Sequence, residues 1–136
     1  MIAGRDTTGC TLTNLFRLLG ENPDEEKQLI AELLPLQPNF DDLIRAPFAD
    51  ACFNEAVRLF APVGTDLRVA VRDLTLPSGI RARKNDAILI PLYSIGRNPK
   101  EWDNPEAFFP RRWLEMSPPS FSSNGDGTQS GIYNLG

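Results

Sequence analysis

Three groups of residues in this 136-residue chain have types and spacings suited to chemistry as well as to packing. The first is Ala3-Gly4-Arg5-Asp6-Thr7-Thr8. Asp and Thr compete with the helix backbone for hydrogen bonds, so they are poor choices for the interior of a helix. Ala3 and Gly4 remove bulk one turn before Thr7, and a flat ligand could approach the backbone there. A hydroxyl at such a gap could hydrogen-bond bound dioxygen, and the carboxylate of Asp6 could relay protons from water. The simpler account of the same residues is an N-cap, with Asp6 or Thr7 starting the helix.

The second group is Glu55-Ala56-Val57-Arg58. A spacing of three puts Glu55 and Arg58 on one helix face, and the forked donors of Arg suit a carboxylate. Phe53, Leu59 and Phe60 flank the pair and favour burial, although a surface helix pair worth a few tenths of a kcal/mol (about 0.3–0.5) is the ordinary alternative. The third group is Phe108-Phe109-Pro110-Arg111-Arg112-Trp113, where an arginine framed by aromatics could complete a three-member charge network with Glu55 and Arg58. Taken alone, it is a basic surface turn.

Composition removes several other chemistries. The chain has no histidine, hence no imidazole base or metal ligand. Cys10 and Cys52 are too far apart in sequence for a metal or redox motif, and are expected to be small buried hydrophobes. A net charge of −4, without a basic run, argues against nucleic-acid binding. No apolar stretch approaches the roughly 18 residues that would span a bilayer. The acidic cluster Asp24-Glu25-Glu26 is explained by a helix start, where carboxylates meet the positive end of the dipole.

The elements that must position these groups follow from periodicity. Leu12, Leu15, Phe16 and Leu19 predict a helix over residues 7–19, ended by Gly20. Leu29, Ile30, Leu33 and Leu34 predict the buried stripe of a second helix between Pro23 and Pro35. Asp41-Asp42 are expected to open a short helical turn. Phe48, Ala51, Cys52, Ala56 and Leu59 predict one buried face of a third helix from Pro47. Beyond it the pattern alternates, Leu67, Val69 and Val71 against Arg68, Ala70 and Arg72, and predicts a small antiparallel sheet over residues 67–93 with a turn at Pro77-Ser78-Gly79. Arg81-Ala82-Arg83-Lys84 reads as a solvated hairpin face. Asn98-Pro99 and Asn104-Pro105 then break the chain into turns, and residues 117–131 read as a mobile loop. The expected fold class is mainly α with a small antiparallel β-sheet, a piece of something larger.

In this order the motifs resemble the cytochrome P450 family. Ala3 to Thr8 is similar to its oxygen-activating helix motif, Glu55-x-x-Arg58 to its Glu-x-x-Arg, and Phe108 to Trp113 to its Phe-x-Pro-Glu-Arg-Trp. Tyr133-Asn134-Leu135-Gly136 is similar to the opening of its haem loop. The resemblance covers essentially the whole chain and implies a partial P450 domain over residues 1–136, running from the oxygen-activating helix to the start of the haem loop. On this reading the N-terminal half and the cysteine that ligates the iron lie outside, the latter beyond Gly136, so no metal ligand is expected here.

The resemblance implies a haem cofactor and a monooxygenase inserting one oxygen atom of O2 into a small hydrophobic substrate. Thr7 would hydrogen-bond dioxygen and Asp6 would help deliver protons. Ala3 and Gly4 would line the porphyrin, Arg68 would contact a haem propionate, and Glu55, Arg58 and Arg112 would form a structural network under the haem loop. It further implies an electron donor such as NADPH-cytochrome P450 reductase and attachment to the endoplasmic reticulum. Arg5-Asp6-Thr7-Thr8 and the stretch from Asp66 to Gly79 are similar to the fungal alkane and fatty-acid hydroxylase branch. Arg111 departs from the family pattern, standing where Glu is usual, and Tyr133 stands for Phe. The competing class is non-enzymatic: an inactive remnant, or a helical interaction module with no cofactor.

Overall fold

The computed structural model describes residues 2–37, 39 and 44–115. The expected turn at Asp41-Asp42, the loop at 117–131 and the segment at 133–136 therefore lie outside the described residues. Three helices come first: α1 (Ile2–Glu21), α2 (Pro23–Leu33) and α3 (Pro47–Leu59). Four short strands follow, β1 (Asp66–Val69), β2 (Leu74–Thr75), β3 (Arg81–Ala82) and β4 (Ala87–Ile90). Two four-residue helices, α4 (Leu92–Ile95) and α5 (Arg112–Glu115), bracket a run of turns.

Helix α1 begins at least five residues before the predicted start, so Asp6 and Thr7 lie inside it and are not its cap. It survives these residues because Thr7, Thr11 and Thr13 each turn the side-chain hydroxyl back onto the carbonyl four residues earlier, at 2.8–3.0 Å. The polar groups are thus satisfied within the helix.

The core is built mainly on α3. Its predicted face, Phe48, Ala51, Cys52, Ala56 and Leu59, is buried in full. Leu18 and Leu19 of α1 and Phe108 close over it, with Leu15, Leu29 and Phe60 at the edges. Each fully buried Leu or Phe side chain contributes about 1.5–3 kcal/mol. The stripes predicted for the other two helices are only partly covered: Phe16 is 71% exposed and Leu34 81%. Cys10, expected to be buried, is exposed.

The single predicted sheet divides into two antiparallel pairs, β1 with β4 and β2 with β3. The first has Asp66 opposite Ile90 and Val69 opposite Ala87. Beyond Val69 one more backbone step follows, the Ala70 N–H donating to the Asp86 carbonyl at 2.9 Å and the Asn85 N–H to the Ala70 carbonyl at 2.7 Å. Carboxylates then take over: Asp73 accepts the Lys84 N–H and Asp86 the Arg83 N–H, both at 2.7 Å. Asn85 sits there in the left-handed region, which Asn tolerates better than most side chains. The alternation is real, but Leu67, Val69 and Val71 are exposed while Ala70 turns inward.

Candidate functional site

Helix α3 carries the densest polar arrangement among the described residues, and its start shows how it is held. Ala46 at the N-cap offers no side-chain acceptor, and Pro47 follows. Glu32 reaches across from α2 instead, its carboxylate accepting the Phe48 N–H at 3.0 Å and the Ala49 N–H at 2.9 Å. A negative group there also meets the positive end of the helix dipole.

Further along α3, Glu55 and Arg58 project from one face, with side-chain exposures of 0% and 2%. They form a two-pronged pair, Arg58 Nη2 to Glu55 Oε1 and Arg58 Nε to Oε2, each at 2.8 Å. A buried ion pair stabilises little unless its remaining lone pairs and N–H groups are also satisfied. Here they are. Glu55 Oε1 also accepts the Phe109 N–H at 3.0 Å and Arg112 Nε at 3.1 Å, and Oε2 accepts the Trp113 indole N–H at 2.8 Å. Burial alone would raise the Glu55 pKa. The Arg58 side chain, the Phe109 N–H, the Trp113 indole and the Arg58 charge outweigh it and hold the carboxyl below the usual range.

Arg58 spends its other donors on backbone carbonyls of the turn region, Pro105 at 2.7 Å, Ala107 at 3.0 Å and Gly96. Gly96 is required where it stands: a Cβ built on it would lie 2.3 Å from the Arg58 carbonyl oxygen. Trp102 lies under both guanidinium groups, 5.1 Å from Arg58 and 5.9 Å from Arg112, and packs against Trp113 with ring centres 5.5 Å apart. Next along the chain, Arg97 stacks on Tyr93 and Phe60, pairs with Glu106 at 3.0 Å and donates to the Leu59 carbonyl. The structure thus brings Glu55, Arg58 and Arg112 together around one carboxylate.

The Ala3–Thr8 group lies at the N-terminal end of α1. Ala3, Gly4 and Asp6 are exposed and Thr7 half-buried, and a Cβ built on Gly4 meets no atom within 4 Å. Thr7 Oγ1 donates to the Ala3 carbonyl at 2.9 Å. Its proton is committed, and the oxygen's lone pairs stay available as acceptors. Arg68, in β1, is exposed and paired with Asp66 at 2.7 Å.

The sequence profile of the family described as Cytochrome P450 matches residues 1–125. This chain belongs to that family. Cytochrome P450 94B3 of Arabidopsis thaliana is 39% identical over 120 residues, covering 85% of this chain and 24% of the relative. Cytochrome P450 4A10 of Mus musculus is 32% identical over 123 residues, covering 87% and 24%. A zebrafish cytochrome P450, solved in a structure with progesterone, superposes with a TM-score of 0.75 at 31% identity, covering 84% of this chain and 28% of its own. The chain therefore spans about a quarter of the length of the P450 relatives it matches.

The P450 family implies haem, and the α1 surface fits the flat face of a porphyrin. It offers two small residues over open space, an accepting hydroxyl and an exposed carboxylate. Arg68 keeps N–H donors beyond those engaged by Asp66, which suits a second carboxylate. The two described cysteines do not fit the thiolate role. Cys52 is sealed in the core, where burial, with the Glu25, Glu32 and Glu55 carboxylates adding to it, pushes its thiol up to about 12. Cys10 is exposed on the same helix as Thr7, the helix proposed for the oxygen side, and accepts the Asn14 side-chain N–H at 3.5 Å.

Arg111, which replaces the family's usual Glu, does not join the Glu55 network. It donates to Gln28 Oε1 at 2.5 Å and stands 3.9 Å from Glu25, both on α2. Sequence reasoning missed Gly96, Arg97, Trp102 and the capping role of Glu32. Only Gly96 and the tryptophans carried any signal, a glycine between turns and indoles whose N–H must find a partner when buried. Glu32 is one acidic residue among many on a helix surface.

Proposed function

We propose that this chain supplies the oxygen-side helix and the haem-supporting network of a haem monooxygenase that inserts one atom of O2 into an organic substrate. The observation that carries the reading is Thr7, held within α1 with its proton on the Ala3 carbonyl, beside Asp6 and the open flank of Ala3 and Gly4. Haem, held by a thiolate from outside the described residues, would supply the oxidising chemistry, with the protein supplying orientation and protons.

Ala3 and Gly4 admit the porphyrin face, Thr7 accepts a hydrogen bond at the site of oxygen chemistry, and Asp6 carries protons inward from water. Arg68 binds a propionate, and Glu55, Arg58 and Arg112 hold the turn region under the haem without touching the reacting atoms. The resemblance to fungal hydroxylases favours a long-chain alkane or fatty acid as substrate. An NADPH-cytochrome P450 reductase or a similar donor supplies electrons, at the endoplasmic reticulum membrane. Among the described residues no helix is long and apolar enough to cross a membrane, so attachment would rest on other parts of the protein.

The test is Thr7→Ala in the full-length, haem-loaded protein with its reductase and dodecanoic acid as probe. Hydrogen peroxide released per NADPH consumed should rise several-fold while haem content stays unchanged. An unaltered peroxide yield would reduce Thr7 to a helix residue and remove the functional reading.

A further inference from the structure

Among the described residues of α1, Thr11 is the polar side chain that is buried, at 3% exposure. An apolar residue of similar shape would serve the packing equally well, so the hydroxyl calls for a reason. Thr11 Oγ1 donates to the carbonyl of Thr7 at 3.0 Å. That carbonyl is also the regular helical acceptor for the Thr11 N–H, so residue 11 grips it with two donors. One turn earlier the same device repeats, with Thr7 Oγ1 on the Ala3 carbonyl at 2.9 Å. Residues 3, 7 and 11 share one face at a spacing of four, and the two hydroxyls form a ladder of side-chain bonds along it. Such back-bonding tilts the accepting carbonyl and bends a helix locally.

We infer that Thr11 is a positioning residue for Thr7. The buried end of the ladder lies on the core side of α1, and the half-buried end carries the hydroxyl proposed for oxygen chemistry. Thr11 sets the tilt of the Thr7 peptide and hence the direction of the Thr7 side chain. It touches neither substrate nor cofactor, and the inference rests on the reading of Thr7 given above.

The experiment uses the full-length, haem-loaded protein with reductase and dodecanoic acid, and three variants. Thr11→Val keeps the shape and removes the hydroxyl, Thr11→Ser keeps the hydroxyl, and Thr7→Ala is the reference. Peroxide per NADPH should rise several-fold in Thr11→Val, approaching Thr7→Ala, and return close to the parent value in Thr11→Ser. Thermal midpoints, measured alongside, separate positioning from packing. A Thr11→Val protein with a lowered midpoint but parental peroxide yield, while Thr7→Ala uncouples, overturns the role of Thr11 and leaves that of Thr7 standing. Parental yields in both Thr11→Val and Thr7→Ala overturn the two together.

Discussion

The Glu55–Arg58–Arg112 network and the Ala3–Thr7 segment are both polar intrusions into a helical protein, yet they are finished in opposite ways. Around Glu55 every strong donor and acceptor is answered within the described chain, by two arginines, an indole and a backbone N–H. Along Ala3 to Thr7 the hydroxyl bonds only to its own helix, and the small residues face open space. A closed arrangement of this kind holds a fold in shape. The open one is where the proposed haem contact lies. The two differ in how their polar groups are satisfied and not in residue type, since both contain a carboxylate.

The sharpest way to break the comparison is Glu55→Ala. It strands the Arg58 charge in the interior and should cost about 3–5 kcal/mol, read as a fall in the urea midpoint; a loss below about 1 kcal/mol, the surface-pair range, would show the network to be incidental. Gly96→Ala comes next. The added methyl meets the Arg58 backbone at 2.3 Å, and overpacking of this kind costs about 1–3 kcal/mol.

Acidity probes the same network from the other side. Because the folded Glu55 pKa lies below its ordinary 4.5, the stability that it contributes is fully present above that value and is lost as pH falls toward the depressed one. Glu55→Gln should flatten that acid limb. Cys52 acts at the alkaline end. Its thiol keeps its proton to about 12, so the unfolded chain ionises first and stability declines between about 9 and 12. The smallest effect belongs to the exposed pair, where Asp66→Asn should change stability by less than about 1 kcal/mol. A larger change would place Arg68 in a network of its own.

Much of this was legible in the sequence where local pattern and burial agree. The buried face of α3 follows from Phe48, Ala51, Cys52, Ala56 and Leu59, and the Glu55–Arg58 spacing survives intact. Helix α1 was read too short because Asp6 and Thr7 speak locally for a cap, and only their bonds back into the helix show how it accommodates them. Leu67, Val69 and Phe16 gave the right periodicity but not the right cover, since periodicity reports which residues share a face and not what lies against it. Cys10 fails for the same reason. The carbonyls of Gly96, Pro105 and Ala107 that surround Arg58 are backbone groups, and they leave no mark in side-chain chemistry. Arg111 looked like a defect in a motif, whereas its partner is a helix more than eighty residues earlier in the chain.

The borrowed carboxylate at the head of α3 has a bearing on how this protein opens. Since Ala46 gives the first turn no acceptor of its own, the amides of Phe48 and Ala49 stay shielded only while Glu32 remains docked. Detachment of α2 must expose those amides to solvent exchange in the same event, which ties the two helices into one opening unit.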